Sequence, residues 1–310
     1  MAPANEFMAR RVANQVLDTL GITEYPVDPE AIAMRLGIEV ADAPGFPPHC
    51  YGGLVLSDGR YRIVVSTDCP SPELRRFTIA HEVGHASIDE HTMAGLKWAE
   101  QGGVQIALSE GHFRSRRDPV EVEADHFASE LLMPRRWAQH LVDTLPPGMA
   151  AIRELARRFD TSLVSAAVRY ATLSTMPVLV ILSKDREIEW ISCSPRADEA
   201  SFIRFHAARD AWAPPGSATR RLADDPDAVR ASTHDSSAGY LSEWFPRAPQ
   251  HLVVDVDAIG LGSYGRVLTL LICSDFPDPD DLYAAEEEEG RDAEDRDWRS
   301  AMRREAGYGD

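Results

Sequence analysis

Two histidines spaced four residues apart in an apolar, helix-spaced run constrain this chain more than any other feature. The stretch is Phe77-Thr78-Ile79-Ala80-His81-Glu82-Val83-Gly84-His85-Ala86-Ser87-Ile88. On a helix His81 and His85 lie one turn apart on the same face, so their imidazoles can converge on one metal ion while Glu82 reaches its water. Leu74, Phe77, His81, Gly84, His85 and Ile88 share one stripe, and Ile79, Val83 and Ala86 lie on another, which makes the segment apolar nearly all round and therefore buried. Ser71 offers an N-cap, Pro72 a proline at the first helical position and Glu73 an acidic first turn. Such a helix must satisfy two histidines and a glutamate, either with a metal or with hydrogen bonds to neighbours.

A catalytic zinc takes three protein ligands plus water, so the pattern demands a third ligand. His91 stands where HExxHxxGxxH would place one, but Ile88 occupies the glycine position, and a β-branched residue resists the sharp turn that glycine permits. His91 is accordingly expected to be a surface or helix-end histidine. The second candidate lies on a helix that starts at Asp118-Pro119 and is stopped by Pro134, with Val122, Ala124, Phe127, Ala128, Leu131 and Leu132 as its packing residues. There Glu121-Val122-Glu123-Ala124-Asp125 puts Glu121 and Asp125 on one face in a Glu-x-x-x-Asp arrangement. Glu121 is a ligand candidate, and Asp125 could orient a ligating histidine by accepting its other N–H. Two alternatives stay open: Glu121 in a capping box with Asp118, and Glu123 as the ligand in a different register.

The two blocks Arg76 to His85 and Glu121 to Pro134, the second running through Phe127-Ala128 and Leu131-Leu132-Met133-Pro134, resemble the ImmA/IrrE family of bacterial and phage metallo-endopeptidases. Val27-Asp28-Pro29 to Leu36-Gly37 is similar to the family's start, so the resemblance covers roughly residues 8 to 175. The stretch between the blocks is long, and His126 stands in a slot usually held by other polar residues. The resemblance implies a thermolysin-like minimal metallopeptidase domain of helices and a small antiparallel sheet. It implies His81, His85 and Glu121 as zinc ligands and Glu82 as general base; the sequence leaves open zinc or a substitute such as manganese as the metal. The implied activity is site-specific cleavage of a helix-turn-helix repressor of the XRE type, derepressing stress-response or mobile-element genes. For the oxyanion, Tyr51, His112 and His126 are candidates beside the metal.

With 310 residues the length suits about two domains, and 44% hydrophobic with 26% charged residues is ordinary for a folded chain. The formal net charge of -18 argues against a surface built mainly for nucleic-acid phosphates. Half of that excess sits from Asp275 onward, where 14 acidic side chains face 5 basic ones. Cys50, Cys69, Cys193 and Cys273 form no CxxC pair, hence neither a disulfide framework nor a thiolate zinc site. The N-terminus has no apolar core of a signal peptide, and no stretch approaches the roughly 18 apolar residues of a membrane span. A cytoplasmic location is expected.

Along the chain, helices are expected from about Glu6 to Leu20 and from Pro29 to Gly37 behind an Asp28 cap, with a short strand at Ile38-Glu39-Val40. Tyr51–Leu56 and Tyr61–Ser66 flank Ser57-Asp58-Gly59-Arg60, a hairpin signal. His91 to Arg117, broken by Gly95, Gly102, Gly103 and Gly111, reads as irregular.

Ile152 to Leu173 reads as helix, turn, helix and resembles the module that follows the protease in the family. Arg153, Arg157, Arg158 and Arg169 would meet phosphates if it bound DNA; with a single basic residue on its second helix, a packing or repressor-binding role is favoured. From Met176 to Asp275, strands at Val178–Leu182, Glu187–Cys193, His251–Val256 and Val267–Ser274 and a helix at Glu199–Trp212 suggest a separate domain, GAF-like by its position alone. Gly260-Leu261-Gly262-Ser263-Tyr264-Gly265 spells GxGxxG, but a strand follows, so it is expected to be a loop and not a phosphate cradle. Trp190, Trp212 and Trp244 are expected to pack in a core.

The expected organisation is therefore α+β throughout: a zinc metallopeptidase domain at 1–135, a helix-turn-helix-like helical module at 136–175, an α+β sensor or regulatory domain at 176–275 and an acidic tail at 276–310. A non-cleaving repressor-binding protein, or a DNA-binding regulator on a protease-like scaffold, is the rival reading.

Overall fold

The computed structural model describes residues 4–89, 91, 98–101, 104–110, 118–200, 203 and 212–278. The chain forms two compact units, Met1–Leu173 and Ser174–Asp310, both mixing helices with a sheet.

In the first unit, α1 (Glu6–Thr19) and α2 (Pro29–Arg35) precede strands β1 (Glu39–Ala43), β2 (Cys50–Ser57) and β3 (Arg60–Ser66). Helix α3 (Pro72–Ser87) follows, then β4 (Ala99–Gln101), β5 (Val104–Glu110) and helices α4 (Pro119–Leu132), α5 (Arg135–Thr144), α6 (Met149–Phe159) and α7 (Leu163–Leu173). The sheet runs β1-β3-β2-β5-β4, with β1 parallel to β3 and every other pair antiparallel. The β2–β3 hairpin turns through Asp58 and Gly59, both at positive φ (52° and 72°), the backbone twist that suits a two-residue hairpin loop. The segment read as irregular contains β4 and β5, a correction to the expectation. Glycines near 102 and 111 broke the pattern that Val104–Glu110 carries, and β5 lies inside the sheet between β2 and β4.

Helix α3 begins as its residues dictate: the Ser71 hydroxyl accepts from Leu74 N at 3.2 Å and Pro72 opens the first turn. Every residue from Thr78 to His85 is buried. Two glycines set the distances around it. A Cβ at Gly52 of β2 would lie 2.2 Å from Thr78 Cγ2 and 3.2 Å from Glu82 Oε1, so the missing side chain is what lets this strand lie against α3. On the other side Gly84 receives the ring of Phe127 from α4. The apolar core joins α1, α2, α3 and α4 to the sheet through residues such as Leu17, Ile32, Leu54, Ile63, Ile79, Phe127 and Leu131.

Helices α6 and α7 are joined by three residues, with Asp160 in the left-handed region (φ 53°) and Thr161 N bonded to Ala156 O. Arg169, a phosphate contact only if this module bound DNA, is 4% exposed, ion-paired with Glu130 and donating from Nε to Met133 O. Glu130 also accepts from Asn14 Nδ2 and Arg135 N, so one buried carboxylate ties α1, α4, α5 and α7 together. Arg157 and Arg158 both pair with Glu154 on their own helix.

The second unit is a sheet of order β7-β6-β10-β9-β8, antiparallel at every pair. Its strands are β6 (Val178–Lys184), β7 (Glu187–Cys193), β8 (His234–Tyr240), β9 (Val253–Gly260) and β10 (Arg266–Ile272). The apolar runs of β6 and β10 are buried along nearly their whole length, as in strands covered on both faces. Short helices at Ala218–Ala223 and Leu241–Trp244 contribute Leu222, Leu241 and Trp244 to this core. Trp212 does not join it: it is 55% exposed. The glycine-rich hexapeptide is a loop between β9 and β10 with a single turn of 3-10 helix at Gly262–Tyr264. Most of the helix expected at Glu199–Trp212, and the acidic tail from residue 279 on, lie outside the described residues.

Candidate metal centre

Helices α3 and α4 bring His81, His85 and Glu121 together. His81 Nε2 lies 3.0 Å from His85 Nε2 and 3.2 Å from Glu121 Oε2, and His85 Nε2 lies 3.4 Å from Glu121 Oε1. Bonds of about 2.0–2.1 Å to a tetrahedral ion place its ligand atoms about 3.3 Å apart. The separations here are close to that value, although His81 and His85 face different oxygens of Glu121, and two imidazoles with one carboxylate are a zinc-type donor set. Glu121 therefore does not turn back to the helix start as a capping box would require; Asp118 alone caps α4, through Val120 N.

The ionisable groups in the site set one another's charge. Burial opposes protonation of His81, yet hydrogen bonds to Asp125 and Glu121 outweigh it and hold the imidazole well above its usual pKa. Burial likewise disfavours an ionised Glu121, but both histidines override it and hold the carboxyl far below the usual carboxylate range. His85 goes the other way: burial, aided by the nearby charges of His81 and His91, pushes it down to about 4 against the pull of Glu121. A neutral His85 and an ionised Glu121 are the states that can ligate a metal, whereas His81 must give up its Nε2 hydrogen to do so.

Around these three, Asp125 Oδ1 sits 2.9 Å from His81 Nδ1, so the nitrogen facing away from Glu121 has a carboxylate to donate to. Glu82 is fully buried on α3, at the closest approach of β2. Glu123, the rival ligand, points elsewhere: Oε2 is 2.9 Å from His91 Nε2, and Oε1 accepts from Asn5 N at 2.6 Å. His91 is not the surface histidine expected. It is 0% exposed, and its Nδ1 lies 3.1 Å from His85 Nδ1, on the far side of that ring from Glu121. Ile88 ends α3 in extended backbone (φ -91°, ψ 113°), a conformation open to a β-branched residue, and His91 N then bonds Ile88 O. Of the oxyanion candidates, His126 pairs with Glu6 at 3.2 Å, Tyr51 is half-buried on β2 beside Gly52, and His112 lies outside the described residues.

Residues 30–170 match the peptidase family M78, described as an IrrE N-terminal-like domain. Over this stretch, a little under half of its length, the chain is similar to the ImmA/IrrE family. The radiation response metalloprotease IrrE of Deinococcus radiodurans is 28% identical over 126 residues, which is 40% of this chain and 34% of that protein. Its counterpart in Deinococcus deserti is 28% identical over 124 residues, 39% of this chain and 40% of that protein. The chain thus spans little more than a third of the length of these relatives. Among solved structures, a Mycobacterium tuberculosis transcriptional regulator superposes with a TM-score of 0.51 at 16% identity, covering 86% of this chain and 76% of that one, a likeness of fold.

The ImmA/IrrE match runs from α2 into α7, so it takes in the metal-site helices and the α6–α7 pair alike. A metallopeptidase family implies a metal, and the donor set of α3 and α4 suits one. Among the described residues no helix is long and apolar enough to cross a membrane.

Proposed function

We propose that the chain is a zinc-dependent endopeptidase that cleaves a helix-turn-helix transcriptional repressor. The observation that carries the reading is the meeting of His81 Nε2, His85 Nε2 and the Glu121 carboxylate at edges of 3.0–3.4 Å. Those three residues would hold zinc, or manganese in its place, and the bound ion supplies a water of near-neutral pKa and polarises a carbonyl. Glu82 adjoins His81 on the same helix, and as general base it takes the proton of the attacking water and passes it to the leaving amine. Asp125 accepts the Nδ1 hydrogen of His81 and fixes the ring so that Nε2 is the nitrogen that would give up its hydrogen to the ion. The 1–135 segment carries this chemistry, 136–175 is a helical module that presents or binds the repressor, and 176–275 is a regulatory domain.

The repressor substrate rests on the family resemblance, and the radiation-response naming of the relatives accords with a stress-response role. Direct DNA binding finds little support, because Arg169 is buried on Glu130, and Arg157 and Arg158 share Glu154.

The test is incubation of the chain with a helix-turn-helix repressor encoded beside it. Two fragments are expected with zinc, and none with chelator or with Glu82→Gln. A repressor that stays bound yet intact under every metal condition would favour the non-cleaving regulator instead.

A further inference from the structure

His91 and Glu123 have no part in the chemistry above, yet both are buried, at 0% and 9% exposure; His91 turns Nδ1 to His85, and Glu123 holds the other ring nitrogen of His91. We infer that they are positioning residues for His85, forming a hydrogen-bonded chain that keeps the His85 Nε2 lone pair directed at the metal. The inference rests on the metal reading and extends it from three ligands to the groups that orient one of them.

The direction of the chain follows from donor and acceptor counting. The Glu123 carboxylate can only accept, so His91 Nε2, 2.9 Å from Oε2, carries a hydrogen. A neutral His91 then has a lone pair on Nδ1. That atom lies 3.1 Å from His85 Nδ1, and two lone pairs cannot face each other at this distance, so the hydrogen between them belongs to His85. With its hydrogen on Nδ1, His85 leaves Nε2 bare, and Nε2 is the atom that faces His81 and Glu121. His81 is oriented by a shorter route, through Asp125 at Nδ1, and its Nε2, 3.0 Å from His85 Nε2, carries the hydrogen that the ion would displace. The two ligating histidines are thus oriented by carboxylates two residues apart on α4, one in direct contact and one through an intervening imidazole. Glu123 is itself anchored, because its other oxygen accepts from Asn5 N at the start of α1.

Glu123→Gln is the sharpest test, since it keeps the shape. Both neighbours of Glu123 donate, and a carboxamide offers a single oxygen. With the Asn5 backbone N–H holding that oxygen, the amide nitrogen faces His91 and forces its Nε2 to accept. The hydrogen then moves to His91 Nδ1, and His85 must accept at Nδ1 and carry its own hydrogen on Nε2.

The experiment measures zinc affinity by chelator competition, and on the metal-free chain the ring-nitrogen tautomers by 15N NMR and the thermal midpoint. The wild type is expected to show His91 hydrogenated at Nε2. Glu123→Gln is expected to lose roughly 10- to 100-fold in zinc affinity and to move the His91 hydrogen to Nδ1, with the metal-free midpoint little changed. Unchanged affinity, a wild-type His91 hydrogenated at Nδ1, or weaker zinc binding accompanied by a lowered midpoint and unmoved tautomers would each overturn the inference. A wild type that binds no zinc would remove the metal reading itself, so the wild-type arm separates the two failures.

Discussion

Gly84 and Phe127 touch where α3 crosses α4: a Cβ built on Gly84 would lie 2.9 Å from Phe127 Cδ1 and 3.2 Å from its Cβ. Phe127 is fully buried, so its ring has little room to retreat. Gly84→Ala should therefore push the helices apart and cost about 1–3 kcal/mol of stability as overpacking. Because Glu121 reaches His81 and His85 across the same crossing, zinc affinity should fall with it. Denaturant unfolding paired with metal titration checks this; a variant as stable as wild type, with unchanged affinity, would show that the crossing tolerates a methyl group.

The buried pair of Glu130 and Arg169 supports a second prediction. Removing one member of such a pair leaves an uncompensated charge and costs about 3–5 kcal/mol. Glu130→Ala should fall in that range, since it also strands Asn14 Nδ2 and Arg135 N. Chemical denaturation monitored on the first unit gives the value, and a loss below about 1 kcal/mol would contradict the role assigned to Glu130 as a tie between four helices.

Two thiols give a pH prediction. Burial, with a smaller push from Asp198, raises Cys193 to about 12, and burial raises Cys273 to about 11. Each thiol is protonated more firmly in the folded state than in the unfolded chain, where the ordinary value is 9.0. Their contribution to stability is therefore fully present below pH 9 and is lost as pH rises from there towards 11 and 12. Alkylation at pH 8, read by mass spectrometry, should be slow at both in the folded chain and fast after denaturation. Rapid native-state labelling of Cys193 or Cys273 at pH 8 would contradict it.

What the sequence made legible is what local rules encode. Helix α3 follows from a 3.6-residue apolar period and a Ser71-Pro72 start, and the β2–β3 turn from Asp58-Gly59. The pairing of Glu121 with His81 needed more, because 40 residues separate them; a Glu-x-x-x-Asp spacing behind Asp118-Pro119 was the signal that linked the two helices. The His91–Glu123 contact spans 32 residues with no spacing rule behind it, and a helix-end histidine looks exposed until the chain folds back. The clue that the sequence does carry is the demand of a buried His85 Nδ1 for a partner. Strand β8, His234–Tyr240, is illegible for a different reason: its side chains alternate between half-buried and exposed, and an edge strand rich in Ser, Ala and Gly carries little apolar signal.

The central claim, that His81, His85 and Glu121 hold a catalytic metal, is tested most directly by zinc content. The chain, purified and dialysed against metal-free buffer, should retain about one zinc per molecule, as expected of a three-ligand site. His81→Ala and Glu121→Ala should retain almost none, while Glu82→Gln keeps its zinc. A wild-type chain without stoichiometric zinc, or undiminished zinc in Glu121→Ala, would contradict the account.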